Sequence, residues 1–300
     1  MCQAADKQHS NAIVNGISRI GHQTGGTAAH WVDEEFPDVF TEKAKSFMRK
    51  HQESPFFLFF SFYDIHVPRL PNKRFEGSSA MGPRGDAIVQ MDWMTVAIVE
   101  EIEKLGLDKN TLIIFTSDNG PVLNDGYEYQ SEELIGNHKP AGPFRGGKHS
   151  AFEAGTRVPM ISYWPGTIAP GQSNALMSQM DYYESLCAMP NISIDKGEAL
   201  DGKNMLKLLL NTNENGRDVL LEEAFSFSLR NKNLKYIAPK TKKWVPAWLD
   251  NKNIETEASK KPQLYHLNTG LGEHVNIAKD HPEIVQKMQA QLDSILTLGK

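Results

Sequence analysis

The sequence contains few cysteines: Cys2 and Cys187 are the only two among 300 residues. Two thiols so far apart form neither a disulfide framework nor a thiolate metal site, and we interpret Cys2 as a tail residue. The sequence also has no apolar run long enough to span a bilayer. Its first ten residues have neither the basic nor the apolar region of a signal peptide, so no signal peptide is predicted there.

Positive charge is not in excess either, because the formal net charge is -5. The chain therefore lacks the basic field that is typical of proteins that bind nucleic acid or an anionic membrane surface. An anionic ligand would have to be held by a few local cations. With a hydrophobic content of 40%, the chain is predicted to be globular, with one large core and a smaller appended unit.

Helical and strand-like patterns alternate along the first two thirds of the chain. Residues 38–51 and the apolar positions from Met91 to Leu105 have helical spacing, and Gly106 is the expected C-cap of the second helix. Three short apolar runs predict buried strands, at residues 56–62, 111–116 and 158–164. This alternation predicts an α/β fold.

The pattern changes after about residue 211, where the segments become shorter and more alternating. These segments predict a small antiparallel sheet, and a capping box at Asp280 to Glu283 predicts a terminal helix that docks on its own domain. We therefore expect an α/β domain over residues 1–212 and a C-terminal subdomain over residues 213–300. The four strand candidates are residues 219–225, 234–237, 243–248 and 263–267.

Polar residues follow the second predicted strand directly, in the order Ser117-Asp118-Asn119-Gly120. Asp118 offers a carboxylate and Asn119 a carbonyl, which are the hard oxygen donors that Ca²⁺ or Mg²⁺ prefers. Ligands of open α/β sheets bind beyond the carboxyl ends of strands, which favours a metal site here. The alternative is an ordinary Asp-Asn-Gly turn whose side chains bond their own backbone.

His66 lies just beyond the first predicted strand and is followed by Pro68. A histidine in this position could hold a substrate anion or protonate a leaving oxygen near neutral pH. The alternative is a loop histidine whose ring nitrogens are satisfied locally.

A third cluster, Arg145-Gly146-Gly147-Lys148, precedes the third predicted strand. Lys148 is a flexible cation beside two glycines that permit close approach, so it is a candidate for gripping a tetrahedral oxyanion. For Arg145, Glu153 and Arg157 we favour structural ion pairs that hold this loop.

In this order, the three clusters resemble the type I sulfatases of the alkaline-phosphatase-like superfamily. The resemblance continues through later motifs and covers nearly the whole chain, with one minor departure, since Ala154 stands where the family usually has glycine. The later motifs are Glu153-Ala154-Gly155-Thr156-Arg157-Val158-Pro159, Trp164-Pro165-Gly166, Ser178-Gln179-Met180-Asp181, Asp201-Gly202-Lys203 and Leu264-Tyr265-His266-Leu267.

The resemblance implies an alkaline-phosphatase-like αβα sandwich and the hydrolysis of sulfate monoesters, which we expect to be those of carbohydrates. It implies Ca²⁺, with Mg²⁺ as the alternative, held partly by Asp118 and Asn119. It also implies that His66 contacts the substrate near the leaving oxygen and that Lys148 binds sulfate oxygens. The loop 126–142, which contains His138, either recognises the sugar or aryl group or is a solvated surface loop.

The family makes its formylglycine nucleophile in a Cys/Ser-x-Pro-x-Arg motif, which occurs nowhere in these 300 residues. The chain therefore resembles the C-terminal two thirds of a sulfatase, an N-terminally incomplete sandwich. The missing N-terminal segment becomes a candidate partner, and we expect no turnover from this chain alone. For the full-length form, the resemblance implies a periplasmic or secreted location.

Two alternatives remain open at this point. A phosphate or phosphonate ester hydrolase of the same superfamily would share the scaffold and metal geometry. A non-catalytic protein, either truncated or binding sulfated glycans without cleaving them, would account for the absent nucleophile motif.

Overall fold

The computed structural model describes residues 12–14, 17–19, 31–127, 129–195, 197–240 and 255–298. The structure is of mixed α/β type, and it divides into two compact units. Unit 1 consists of Met1–Thr111 and Val122–Lys139, and unit 2 of Leu112–Pro121 and Pro140–Lys300. No helix in the described ranges is both long and apolar enough to cross a membrane.

The helices and strands are numbered in chain order. They are β1 (Ala12–Val14), β2 (Ile17–Arg19), α1 (Phe36–His51), α2 (Gly82–Lys104), β3 (Ile113–Thr116), α3 (Glu153–Thr156), β4 (Met160–Tyr163), α4 (Asp181–Ala188), α5 (Leu206–Leu209), β5 (Leu220–Glu223), β6 (Phe227–Arg230), β7 (Leu234–Ile237), β8 (Gln263–His266) and α6 (Pro282–Leu298).

Unit 1 is organised by α1 and α2, as the apolar spacing predicts. Met48 of α1 and Met94 of α2 are fully buried, and Ala44 and Ile102 are nearly so. The helix α2 ends as expected, because Gly106 has φ +70° and Leu107 donates its backbone N–H to the Ile102 carbonyl at 3.0 Å. This bond satisfies a carbonyl that the end of a helix otherwise leaves free.

The prediction of a strand buried on both faces at residues 56–62 is wrong. Within the described part of the chain no strand occurs there, and Phe57 and Phe59 are 72% and 80% exposed. The intervening side chains are half-buried, so exposure alternates with a period of two. An apolar run indicates which side chains favour burial, but a strand also requires backbone pairing, which composition does not encode.

In unit 2, β3 and β4 pair antiparallel, with Thr116 opposite Met160 and Ile113 opposite Tyr163. Two of the three predicted strands are therefore present, each shorter than its apolar run. The prediction that they are buried is wrong, because the residues of β3 are half-buried and Met160, Ile161 and Tyr163 of β4 are exposed. This pairing sets the end of β3, where the polar sequence Ser117-Asp118-Asn119-Gly120 begins, beside the start of β4.

The small C-terminal antiparallel sheet and the terminal helix are confirmed. The sheet has the order β5-β6-β7-β8, and α6 packs on it with Met288 and Leu292 against Leu229, Tyr236 and Leu264. The strand β6 was not expected, and it extends the sheet beyond the predicted segments. The predicted strand at residues 243–248 lies outside the described residues.

Asp181 joins two of the sequence motifs in unit 2 to Arg217. Its fully buried carboxylate accepts backbone N–H groups from Ser178 at 2.8 Å and Lys203 at 2.9 Å, and it pairs with Arg217 at 2.5 Å. The motifs that begin at Ser178 and Asp201 are thus structural, because their polar groups complete one buried ion pair.

Candidate active site

The predicted metal site, residues 117–120, is a tight turn at the end of β3, and we call this turn the metal corner because of that prediction. The Ser117 hydroxyl donates to the Asn119 carbonyl at 3.1 Å, and Asn119 Nδ2 donates to the Gly120 carbonyl at 3.0 Å. The side chain of Asp118 is exposed, whereas Gly120 is buried. Since the Asn119 bond uses the amide nitrogen, it leaves the amide oxygen free to bind a cation. The predicted turn and the predicted pair of oxygen donors therefore coexist.

Gly120 is required by close packing. A Cβ at this position would lie 1.6 Å from the carbonyl oxygen of Ala154, which no side chain can accept. The backbone N–H of Gly120 instead donates to the Gly155 carbonyl at 3.0 Å. The metal corner is thus held directly against the segment that follows Lys148.

The Lys148 loop, residues 145–155, contacts the same corner from its other side. Lys148 donates its backbone N–H to the Pro121 carbonyl at 2.8 Å, and a Cβ on Gly147 would lie 2.5 Å from that oxygen. The loop is closed on itself, because Ala154 donates to the Arg145 carbonyl at 3.0 Å. These bonds bring the backbone of the predicted sulfate lysine beside the predicted metal donors.

The helix α3 begins with Glu153, whose fully buried carboxylate receives three cations. Its Oε1 accepts from Arg230 Nε at 2.9 Å and Lys235 Nζ at 3.2 Å, and its Oε2 accepts from Arg157 at 3.2 Å. Burial alone raises the pKa of Glu153, but Lys235 and Arg230 outweigh that effect and lower the pKa to about 2. The structural interpretation of Glu153 and Arg157 agrees with these contacts.

Arg145 has other partners than Glu153. Its guanidinium pairs with Glu255 at 2.6 Å and donates to the main-chain carbonyl of Glu273 at 2.8 Å. It also lies over the ring of Phe152, 4.0 Å from the centroid. Arg145 is therefore structural, as expected, but its acidic partner comes from the C-terminal segment.

His66 lies in unit 1, exposed, before the cis peptide bond between Val67 and Pro68. Its Nδ1 is 2.8 Å from the Val67 carbonyl oxygen. A carbonyl only accepts hydrogen bonds, so Nδ1 carries the proton and Nε2 is the free nitrogen of the neutral ring. This local bond orients the imidazole and leaves Nε2 as the accepting nitrogen of the neutral ring.

Sequence reasoning missed a buried polar cluster behind His66. Arg69 is 2% exposed and pairs with Asp125 at 2.7 Å, while its backbone N–H donates to the Tyr129 hydroxyl at 2.8 Å. The rings of Tyr127 and Tyr129 stack 5.5 Å apart. The signal for this cluster was Arg69, one residue after the His-x-Pro motif, together with the tyrosines of the loop 126–142.

His138, the other candidate in that loop, is exposed, and its backbone N–H donates to the Ile135 carbonyl at 3.2 Å. It belongs to unit 1 together with His66, whereas Asp118, Asn119 and Lys148 belong to unit 2. Backbone hydrogen bonds connect the segment that contains Asp118 and Asn119 to the loop that contains Lys148. Among the described contacts, none joins His138 to His66.

Asp118 and Asn119 form a donor set that fits a hard cation. Ca²⁺ takes about six to eight oxygen ligands, so a carboxylate and an amide oxygen side by side supply part of its coordination shell. Within the described residues no group of three or more His, Cys, Asp or Glu side chains is arranged to hold a metal. The remaining ligands of a bound calcium would therefore have to come from outside this pair.

Comparison with known proteins gives consistent matches. A family model described as Sulfatase matches residues 4–190. The N-acetylgalactosamine-6-O-sulfatase of Bacteroides thetaiotaomicron is 42% identical over 291 residues, which cover 96% of this chain and 56% of that protein. The chain thus spans a little over half the length of this relative.

Solved structures agree with this match. One is a Bacteroides thetaiotaomicron protein, solved in work on the metabolism of multiple glycosaminoglycans, with a TM-score of 0.93 and 41% sequence identity. The match covers 99% of this chain and 61% of that protein's chain. A sulfatase from Pseudoalteromonas sp. has a TM-score of 0.73 at 26% identity, covering 88% of this chain and 53% of its own.

Proposed function

Because this chain belongs to the sulfatase family of hydrolases, we propose that the protein hydrolyses sulfate monoesters of carbohydrates. The first substrate to test is 6-O-sulfated N-acetylgalactosamine, the sugar in the name of the relative at 42% identity. The fold of the whole protein would be the αβα sandwich of the superfamily, with residues 1–212 in the catalytic domain and 213–300 in the C-terminal subdomain.

The observation that carries the proposal is the backbone connection between the metal corner and the Lys148 loop. Gly120 bonds to Gly155 and Lys148 bonds to Pro121, at 3.0 and 2.8 Å. A cation site and a lysine held side by side suit an oxyanion such as sulfate, whose charge both can neutralise. The resemblance of the motifs assigns the same two roles to Asp118 with Asn119 and to Lys148.

Each candidate residue has a defined part in this proposal. Asp118 and Asn119 would hold Ca²⁺, or Mg²⁺ as the alternative, and the bound ion would supply Lewis acidity and neutralise sulfate charge. Lys148 would donate hydrogen bonds to sulfate oxygens. His66 would donate the Nε2 proton of its imidazolium to the leaving ester oxygen. His138 would contact the sugar.

The formylglycine of the family is assigned to no residue of this chain, since its Cys/Ser-x-Pro-x-Arg motif does not occur in these 300 residues. The roles proposed for residues of this chain are to bind the sulfate ester, to neutralise its charge and to supply a proton.

The metal assignment is tested without turnover. We expect Ca²⁺ to raise the melting temperature of the chain, and we expect Asp118→Ala to remove that increase. Lys148→Ala removes a neighbouring cation without removing an oxygen donor, so it should retain the calcium response. An equal calcium response in Asp118→Ala would contradict the site.

The substrate assignment is tested by measuring sulfate released from 6-O-sulfated N-acetylgalactosamine. The assay uses a full-length form that contains the Cys/Ser-x-Pro-x-Arg motif, because these 300 residues alone should release none. We expect release from the sulfate ester and none from the 6-phosphate, and we expect Lys148→Ala to reduce it. Phosphate release at a higher rate would favour the phosphoesterase alternative. Binding of the sulfated sugar without release would favour the glycan-binding alternative.

A further inference from the structure

Glu257 is a buried acid that the proposed function does not use. It is 2% exposed, and its two carboxylate oxygens accept backbone N–H groups from different parts of unit 2. Oε2 accepts from Ala151 at 2.9 Å, and Oε1 accepts from Ser226 at 2.8 Å. One side chain thus connects the Lys148 loop to the start of the hairpin β6-β7.

A carboxylate is the group that this arrangement requires. Both backbone groups are donors, and an ionised carboxylate accepts through both oxygens, whereas the amide of glutamine has one accepting oxygen and one donating nitrogen. The main-chain carbonyl of Glu257 is fixed as well, because Gln263 Nε2 donates to it at 2.7 Å. The backbone of Glu257 is therefore fixed by β8, while its side chain binds the Lys148 loop.

The hydrogen bond from Ala151 to Glu257 matters for Lys148 because the two residues are close in the chain. Lys148 lies between two fixed points: its own N–H is bonded to the Pro121 carbonyl, and Ala151, three residues later, is bonded to Glu257. Ser150 donates to the Gly147 carbonyl at 3.1 Å and closes the turn between them. Releasing Ala151 would free the second fixed point and let the Lys148 side chain spread over several positions.

We propose that Glu257 is a positioning residue for Lys148, holding the Lys148 loop so that the ammonium group meets a sulfate oxyanion at the metal corner. This proposal rests on the proposed function, in which Lys148 binds sulfate. Glu257 itself touches neither the sulfate nor the metal donors; it acts through the backbone of Ala151.

The first measurement is amide hydrogen exchange of the chain, followed by mass spectrometry. In Glu257→Gln one of the two backbone donors loses its acceptor, so we expect exchange in residues 149–155 to accelerate about tenfold. Exchange in α6 should stay unchanged. The matched control is Asp86→Asn, which changes another buried carboxylate that accepts two backbone N–H groups, from Gly77 and Ser79, but lies in unit 1. It should leave exchange in residues 149–155 unchanged.

The second measurement reports on Lys148 itself. Inorganic sulfate should protect its amine from an acylating reagent, and the sulfate concentration that gives half protection measures affinity at this one site. We expect Glu257→Gln to raise that concentration roughly tenfold, the equivalent of one charge-assisted hydrogen bond. Asp86→Asn should leave that concentration unchanged. A purely structural role for Glu257 would not change the protection of one lysine selectively.

The outcomes separate the two proposals. Wild-type protection that persists unchanged in Glu257→Gln overturns the positioning role and leaves the proposed function intact. Equal acceleration of exchange in the loop and in α6 overturns it too, because the effect is then global. No protection of wild-type Lys148 contradicts the proposed function and removes the positioning role with it. If Glu257→Gln does not fold, Glu257→Asp, which retains both oxygens on a shorter side chain, is judged by the same two measurements.

Discussion

Glu273 is a buried carboxyl whose ionisation should change the stability of unit 2 with pH. It is 1% exposed, and its Oε2 accepts the backbone N–H of Glu153 at 2.7 Å, while its Oε1 has no hydrogen-bond partner among the described residues. Burial raises the pKa of Glu273 to about 7, against the opposing pull of Lys235 and with the support of Glu153 and Glu222.

The charged groups that face Glu273 come from several elements. They are Lys235 of β7, Glu222 of β5, Glu153 of α3 and Arg145 of the Lys148 loop, together with the uncharged, titratable hydroxyl of Tyr265 in β8.

The sign and size of the effect follow from proton linkage. An ordinary glutamate has a pKa of 4.5, so below that pH the carboxyl is protonated in both the folded and the unfolded chain. Between pH 4.5 and about 7 the unfolded chain ionises and the folded chain does not, which lowers the free energy of unfolding. At roughly 1.4 kcal/mol per pKa unit, this single group removes about 3 kcal/mol by pH 7.

Glu273→Gln isolates this effect, because glutamine keeps an accepting oxygen and does not titrate. Urea denaturation of both proteins from pH 5 to pH 8 should show a stability difference that grows in favour of the variant, by about 2–3 kcal/mol. Glu223→Gln, at an exposed position of β5 in the same unit, is the matched control and should give a curve parallel to that of the wild type. If the curve of Glu273→Gln were also parallel, Glu273 would not be protonated near neutral pH, and the reasoning would be refuted.

Three further substitutions test other parts of the structure. Glu153→Ala leaves Lys235 buried with less compensating charge, so urea denaturation at pH 7 should show a loss of about 3–5 kcal/mol. Asp181→Ala leaves Arg217 without its carboxylate, and a loss of similar size, about 3–5 kcal/mol, is expected in the same assay. Gly120→Ala inserts a methyl group against a backbone carbonyl and should cost about 1–3 kcal/mol and abolish the calcium-induced rise in melting temperature, measured by differential scanning fluorimetry. A variant whose stability equalled that of the wild type in its assay would contradict the contact that its substitution removes or crowds.

Much of the fold can be predicted from the periodic spacing of apolar residues. The spacing of apolar residues located α1, α2 and α6, and Gly106 located the end of α2, because these signals are local in the chain. The run at residues 56–62 failed, since seven consecutive residues rich in phenylalanine indicate burial but contain no information about a pairing partner. The strand β6 was missed for a related reason: its hairpin with β7 is recognised by register, not by composition.

The site was accessible in part. The sequence predicts the metal corner and the Lys148 loop because the residues of each are contiguous and lie next to a predicted strand. The backbone bonds join the two segments, and their roles stay predictions. The residues that fix the loop were not foreseen, because Glu257 and Glu273 contact it across 106 and 120 residues of sequence. No local pattern distinguishes these two acids from the exposed ones around them.

Burial, together with the carboxylates of Glu153 and Glu222, explains why Glu273 keeps its proton up to about pH 7, although Lys235 opposes this. Lys235 and Arg230 are the buried cations of this network, and they face the carboxylates of Glu153 and Glu222. Those two pairs are already balanced, so an ionised Glu273 would add a third negative charge to a region that water does not reach. A neutral Glu273 can still accept the Glu153 N–H. The α3 end of the Lys148 loop is therefore held by a hydrogen bond that does not require charge.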